Sequence, residues 1–334
     1  MKKKCICSTI KAAIYYLRPK EVTALAGFLT QYLFGMESFE KLPENYIKNV
    51  IQENNHPFLI GLQGYDLFSF NPHTISKRGL SYQTASGVRG QEYGALINSM
   101  LDHIENLQGR ERSACVSYMA GFLCYYALNQ AARPYISYFA GHMTPAGSSR
   151  KEKYLRRLEI EAVLDTVLLR TNCHMEPSQL NFEALTFISR RDLAEIEKLL
   201  RYAVRSTYHY KISSSELATG LRNLRRSIIC LQQNTGFRKV LIGSVTKILP
   251  LSVKRIYIDF IPDEHDYMNT EGRPWLPCAG CSRALHSGFH VIYEEAIASS
   301  LHLLESLDSC ISWGMNRDEL ISDIIGFDPY ADIM

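Results

Sequence analysis

The chain has 334 residues, 46% of them hydrophobic and 21% charged, a soluble globular composition with length for one large domain or two ordinary ones. A net charge of +3 and the lack of a long Lys/Arg run exclude nucleic acid as the expected partner, since no phosphate track is offered. No uninterrupted apolar run reaches the roughly 20 residues that span a bilayer, so no transmembrane segment is expected. The nine cysteines are scattered through a chain far longer than a disulfide scaffold, which suits free thiols in a reducing compartment and a cytoplasmic location.

Residues 1–24 read as an N-terminal extension with a short helix over Ser8–Leu17. Met1–Lys4 carries a signal peptide's positive charge, but Lys11 interrupts the apolar stretch and no small-x-small cleavage site follows. Cys5 and Cys7 beside lysines make only a weak acylation signal. A helical pattern runs through Ala24–Phe39, Leu42-Pro43-Glu44 marks a break, and Tyr46, Val50 and Ile51 recur at helix spacing before Asn54–Pro57 ends the element. Phe58–Phe70 is an apolar stretch holding one carboxylate, Asp66, which is costly to bury unless paired or metal-bound. The alternative is a helix or turn end with Asp66 solvated or capping, and composition favours it because most carboxylates are simply exposed. Residues 71–89 read as a surface loop, and Glu92–Leu107 as a helix leading through a charged turn at Gly109–Arg112.

The most informative stretch is Tyr118–Ile136. As a helix it stacks Tyr125, Asn129 and Arg133 one turn apart, while Phe122, Leu123, Tyr126 and Leu128 cover much of the rest. Pro134 predicts that the helix ends at Arg133. His142–Ser149 reads as a loop. In Lys151–Arg170, Tyr154, Leu158, Glu161, Asp165 and Leu168 share one face, and Ile160, Val163 and Val167 make the opposite side apolar too. Acids on a buried helix need partners, and Arg157, one turn before Glu161, is the nearest candidate. An exposed i, i+4 pair worth about 0.3–0.5 kcal/mol is the alternative.

Leu193, Ile196, Leu199, Leu200, Ala203 and Val204 form an amphipathic stripe, and Ser213-x-x-Glu216 resembles a capping box before Leu217–Leu231. Phe237–Leu249 is apolar with basic residues. Peripheral contact with an anionic membrane is one reading, and a core-packed helix with a basic edge is the one preferred. Alternation typical of a strand is hardly seen outside Val253–Ile261, which stays undecided. The fold class read from the whole is all-α, a single multi-helix domain over 25–310 with a C-terminal tail at 311–334.

Cys278-Ala-Gly-Cys281, with His286 and His290 downstream, invites a zinc reading, but the gap to His286 is far short of a zinc finger's. A pair of buried or loop thiols is preferred, and a redox motif is disfavoured because no βαβ pattern surrounds it. The remaining histidines form no H-x-x-x-H pair, and no nucleophile elbow or Gly-rich phosphate loop is present.

Several stretches together resemble the zinc-dependent phospholipase C-like family, an all-α fold with zinc ions held by helix-borne His, Asp and Glu. They are Phe28–Gly35 (FLTQYLFG), Lys41-Leu-Pro, Phe58–Phe68 (FLIGLQGYDLF), Gly121–Asn129 (GFLCYYALN), Arg133-Pro-Tyr-Ile, Asp266-Tyr-Met-Asn, Trp275, Ser287-Gly-Phe and Tyr293-Glu-Glu-Ala. Their order covers about Ala24 to Leu307. The resemblance implies metal-ligand positions at Gln31, Asp66, Gln83, Tyr125, Asn129, Arg133, Arg157 and Glu161. Six of these eight differ from the residue the family pattern expects; Asp66 and Glu161 are kept. Arginine cannot ligate zinc, and Gln, Asn or Tyr would be poor substitutes for imidazole or carboxylate.

The reading that follows is a degenerate, non-catalytic relative in which Arg133 and Arg157 pair with Asp66, Glu161 or Asp165. The same arginines would bind a phospholipid head group or another phosphate ligand. No cofactor is expected on this reading. One alternative is an active phosphodiesterase with a reduced zinc set, in which Asp66 would be a catalytic carboxylate. Another is a structural or partner-binding helical protein.

Overall fold

The computed structural model describes residues 27–64, 90–176, 179–209, 211, 213, 218–223, 265–278, 280–314, 317–327 and 330. The chain is all-α. Among the described residues its helices include α1 (Phe28–Lys41), α2 (Tyr46–Glu53), α3 (Asn55–Gly61), α4 (Gly90–Glu105), α5 (Gly109–His142), α6 (Arg150–Cys173), the short α7 (Phe182–Leu185), α8 (Arg190–Tyr208), α9 (Phe289–Trp313) and α10 (Arg317–Gly326). Among the described residues there is no strand, and the one β-type pairing is an isolated antiparallel bridge between Trp275 and Leu285. The segments 1–24, Phe237–Leu249 and Val253–Ile261, the Glu216 half of the expected capping box, and Asp66 and Gln83 lie outside the described residues.

Local chemistry starts several of these helices where the pattern predicts. Asn45 accepts from Lys48 N at 2.8 Å to cap α2. Ser149 and Glu152 form a reciprocal capping box on α6, and Ser189 accepts from Asp192 N at 3.1 Å on α8. The break at Asn54 is real, but the chain re-enters a helix at Asn55 instead of stopping. Pro57 falls in the first turn of α3, where its missing N–H would have had no intrahelical partner in any case.

Helix α5 is the hub, packed against α1, α2, α3, α4, α6, α8 and α9. Val116, Tyr118, Met119, Phe122, Leu123, Cys124 and Tyr126 are all buried, so no polar face is presented to solvent through its middle. Its closest neighbour is α3. A Cβ on Gly121 would lie 2.2 Å from the Phe58 carbonyl oxygen, and one on Gly61 would lie 2.2 Å from that of Tyr118. Two glycines face to face are what let these backbones touch.

The expected end at Arg133 is wrong: α5 continues through Pro134 to His142. An interior proline costs about 3 kcal/mol. Beyond it, however, Tyr135, Ile136, Phe139 and Ala140 are buried, and burial of each large apolar side chain contributes about 1.5–3 kcal/mol. Tyr135 also donates to the Tyr267 carbonyl at 2.9 Å. Packing therefore outweighs the broken backbone bond.

Around this hub, Ser38 and Ser300 share a 2.8 Å hydrogen bond between α1 and α9, and Asp308 of α9 accepts from Ile47 N at 2.9 Å at the start of α2. The segment 311–334, set apart as a tail by sequence, contains α10, which packs on α4 with Leu320 and Ile324 buried. Arg317 ties it down by donating to Asn98, Asp102 and Glu105. No helix among the described residues is long and apolar enough to cross a membrane.

Candidate functional site

Helix α1 begins at Gly27, whose φ of 70° and ψ of −5° place it in the left-handed region, and Gly27 has no side chain to cap the turn. The acceptor comes from α6. Asp165, fully enclosed, accepts from Thr30 N at 2.8 Å, Leu29 N at 3.2 Å and Thr30 Oγ1 at 2.6 Å. Burial pushes its carboxyl up to about 8, against the pull of these three hydrogen bonds. One turn earlier on α6, Glu161 backs onto the same glycine, its Oε2 lying 3.6 Å from where a Gly27 Cβ would be. Glu161 Oε1 accepts from Arg157 Nε at 2.9 Å, with the two side chains 11% and 21% exposed. Sequence reasoning offers arginine as a partner for either acid. Glu161 has that partner, and Asp165 has the start of a helix instead.

The end of α3 closes the other side. Gln63 donates from Nε2 to the Phe28 carbonyl at 3.4 Å. Gly64, at φ 45°, lies directly against the Tyr125 ring, where a Cβ would be 2.3 Å from Cδ1. Tyr125 is buried and its ring is tilted against that of Phe122. Asn129 turns its Nδ2 back onto the Tyr125 carbonyl at 2.9 Å, and Arg133 is half-buried on the next turn. Gln31 is buried on α1, and its Oε1 has no hydrogen-bond partner among the described residues. Tyr125, Gly64, Gln63, Phe28, Gly27, Glu161 and Arg157 thus form a connected series linking α5, α3, α1 and α6.

Gln63, Gly64 and Thr30 are neighbours of these positions that the spacing argument misses. One signal points toward Thr30: a helix that starts on glycine, with no Ser, Thr, Asp or Asn at its cap, must take its acceptor from elsewhere in the fold. As chemistry, the acids of the site are satisfied: Glu161 by Arg157 and Asp165 by the start of α1. Asp165 is an anchor, not an accessible base. Among the described residues, no group of three or more His, Cys, Asp or Glu side chains is placed to hold a metal ion.

The second candidate cluster resolves differently. Cys278 and Cys281 are joined as a disulfide, so the pair of loop thiols expected from sequence is oxidised. Zinc would need both sulfurs as thiolates, and here each is bonded to the other. His286 Nδ1 is engaged at 2.8 Å by the Gly272 carbonyl, and His290 is an exposed residue in the first turn of α9. No family model, curated protein or solved structure matches the chain.

Proposed function

We propose that this chain is a divergent relative of zinc-dependent phospholipase C-like proteins, non-catalytic, in which guanidinium charge stands where metal charge would be. The observation that carries this reading is the Arg157–Glu161 pair at 2.9 Å, because the resemblance assigns those two positions to a histidine and a glutamate ligand. A carboxylate whose charge is already balanced by arginine is a weaker zinc ligand, and the positive charge beside it repels a cation. Asn129 and Tyr125, two further assigned positions, are spent on contacts within α5 and with Gly64.

The ligand we infer is a phosphate-bearing group such as a phospholipid head group, met by Arg133 and Arg157. A guanidinium has five N–H donors, and the Glu161 bond uses one of Arg157's. A cytoplasmic setting belongs to the same proposal; the free cysteines Cys115, Cys124, Cys173 and Cys310 support it, and the Cys278–Cys281 disulfide is the observation against it.

The test is metal analysis of purified protein beside hydrolysis of a chromogenic phosphocholine ester, with co-sedimentation on phospholipid vesicles. The expected result is no stoichiometric zinc, no zinc-dependent turnover, and vesicle binding that falls in Arg133→Ala and Arg157→Ala. Stoichiometric zinc with turnover would instead favour an active enzyme with a reduced metal set. Vesicle binding unchanged in both variants would leave a structural or partner-binding protein.

A further inference from the structure

The geometry points to the Cys278–Cys281 bond as a site of reversible thiol–disulfide exchange with a protein dithiol. The bond spans a sequence separation of three, and the segment holding it is already closed by backbone. Trp275 N donates to the Leu285 carbonyl and Leu285 N to that of Trp275, both at 2.8 Å. Behind this closure Trp275 is fully buried, its Nε1 donating to the Ser287 carbonyl at 3.0 Å and its ring edge-on to Tyr135. A disulfide stabilises mainly by closing a long loop of the unfolded chain, and this one closes almost none. As a staple it is redundant.

Its surroundings suit an attacking thiolate. Cys278 and Cys281 are half-buried, with Gly280, Ser282 and Arg283 exposed beside them. A Cβ on Gly280 would meet nothing within 4 Å, so a partner's backbone can approach the tip of the loop. Arg283, two residues after Cys281, adds positive charge to the same loop, and positive charge favours the thiolate formed when the bond opens. Exposed Leu276 supplies apolar surface on the entry side of the same loop. The contrast is with Cys115 and Cys124, both enclosed in the core, where burial pushes the thiols up to about 12 and keeps them inert.

In the exchange, one thiolate of the dithiol attacks a sulfur of the Cys278–Cys281 bond. That bond breaks, a mixed disulfide forms, and the displaced cysteine leaves as a thiolate and takes a proton. The partner's second thiolate then attacks the mixed disulfide and releases the other cysteine. The partner ends oxidised, and this chain has gained two electrons and two protons.

The experiment uses the full chain, air-oxidised, with thioredoxin, thioredoxin reductase and NADPH, followed by alkylation of free thiols and peptide mass mapping. The expected result is oxidation of one NADPH per chain. Alkylation of Cys278 and Cys281 should pass together from none to complete, with Cys115 and Cys124 unlabelled and the far-UV circular dichroism unchanged. Cysteines 278 and 281 alkylated before reduction, or no NADPH consumed while the fold is intact, would overturn the assignment. The Cys278→Ala/Cys281→Ala chain is expected to melt within a few degrees of the parent temperature. A fall of many degrees would make the bond a structural staple and overturn it equally.

Discussion

Replacing Asp165 with asparagine should flatten one part of the protein's stability–pH profile. The folded carboxyl sits at about 8 and its ordinary value is 3.8, so between those values the folded state binds more protons than the unfolded one. Stability from this group is therefore fully present below pH 3.8 and is lost as pH rises toward 8. The steepest slope is about 1.4 kcal/mol per pH unit, so the wild-type chain should lose about 3 kcal/mol from Asp165 alone between about pH 5 and pH 7. The asparagine of the Asp165→Asn chain has no charge to lose. Its amide can still accept from Thr30, but its Nδ2 faces the Leu29 N–H, leaving donor against donor at a cost of about 1–3 kcal/mol. The variant should thus be the less stable chain at low pH, and the gap should close or reverse toward pH 8. Urea unfolding followed by circular dichroism, at half-unit pH steps, measures the difference curve and cancels the other carboxylates. A difference independent of pH, or one that widens as pH rises, would refute the reasoning.

Three further outcomes are expected. Gly121→Ala forces a methyl to within 2.2 Å of the Phe58 carbonyl, and separation of α3 from α5 should lower stability by at least about 1–3 kcal/mol, read as a lowered Tm. Pro134→Ala restores a donor for the Gln130 carbonyl inside α5 and should stabilise by about 2 kcal/mol; unchanged stability would mean that the packing of Tyr135 and Ile136 depends on the proline. A double-mutant cycle on Arg157→Ala and Glu161→Gln should give a coupling of about 0.5–2 kcal/mol that shrinks only modestly in salt, because the pair is largely shielded; a coupling abolished by salt would place it at the surface.

How far the sequence could be read follows from the range of each interaction. Leu199, Leu200, Ala203 and Val204 announce α8 because that helix has one wet face, and a stripe is visible only against polar neighbours. The capping box of Ser149 and Glu152 on α6 is equally local, although the spacing argument passes it over. Helix α5 is buried on every side through its middle, so its period is faint, and Pro134 carries undue weight when the burial of Tyr135 and Phe139 is unknown. The acids of α6 are recognisable as needing partners, and Arg157 for Glu161 follows from spacing. That Asp165 meets the start of α1 could not, since its partners lie 135 and 136 residues away. The disulfide between Cys278 and Cys281 is likewise silent in a spacing that serves thiols, metals and redox pairs alike.

Those distant caps bear on the order in which the chain folds. Helices α6 and α8 carry an acceptor for their first N–H groups within a few residues and can complete an initial turn alone. Helix α1 takes its acceptor from 135 residues downstream, and Ile47 at the head of α2 takes one from 261 residues downstream. Closing loops of that size costs chain entropy before any bond repays it. The first turn of α1 therefore sets late, after α6 has docked on α5, whereas α2 keeps a local cap in Asn45 and only its tie to α9 waits for docking. Substitutions at Thr30 or Asp308 should speed unfolding while leaving the refolding rate almost untouched.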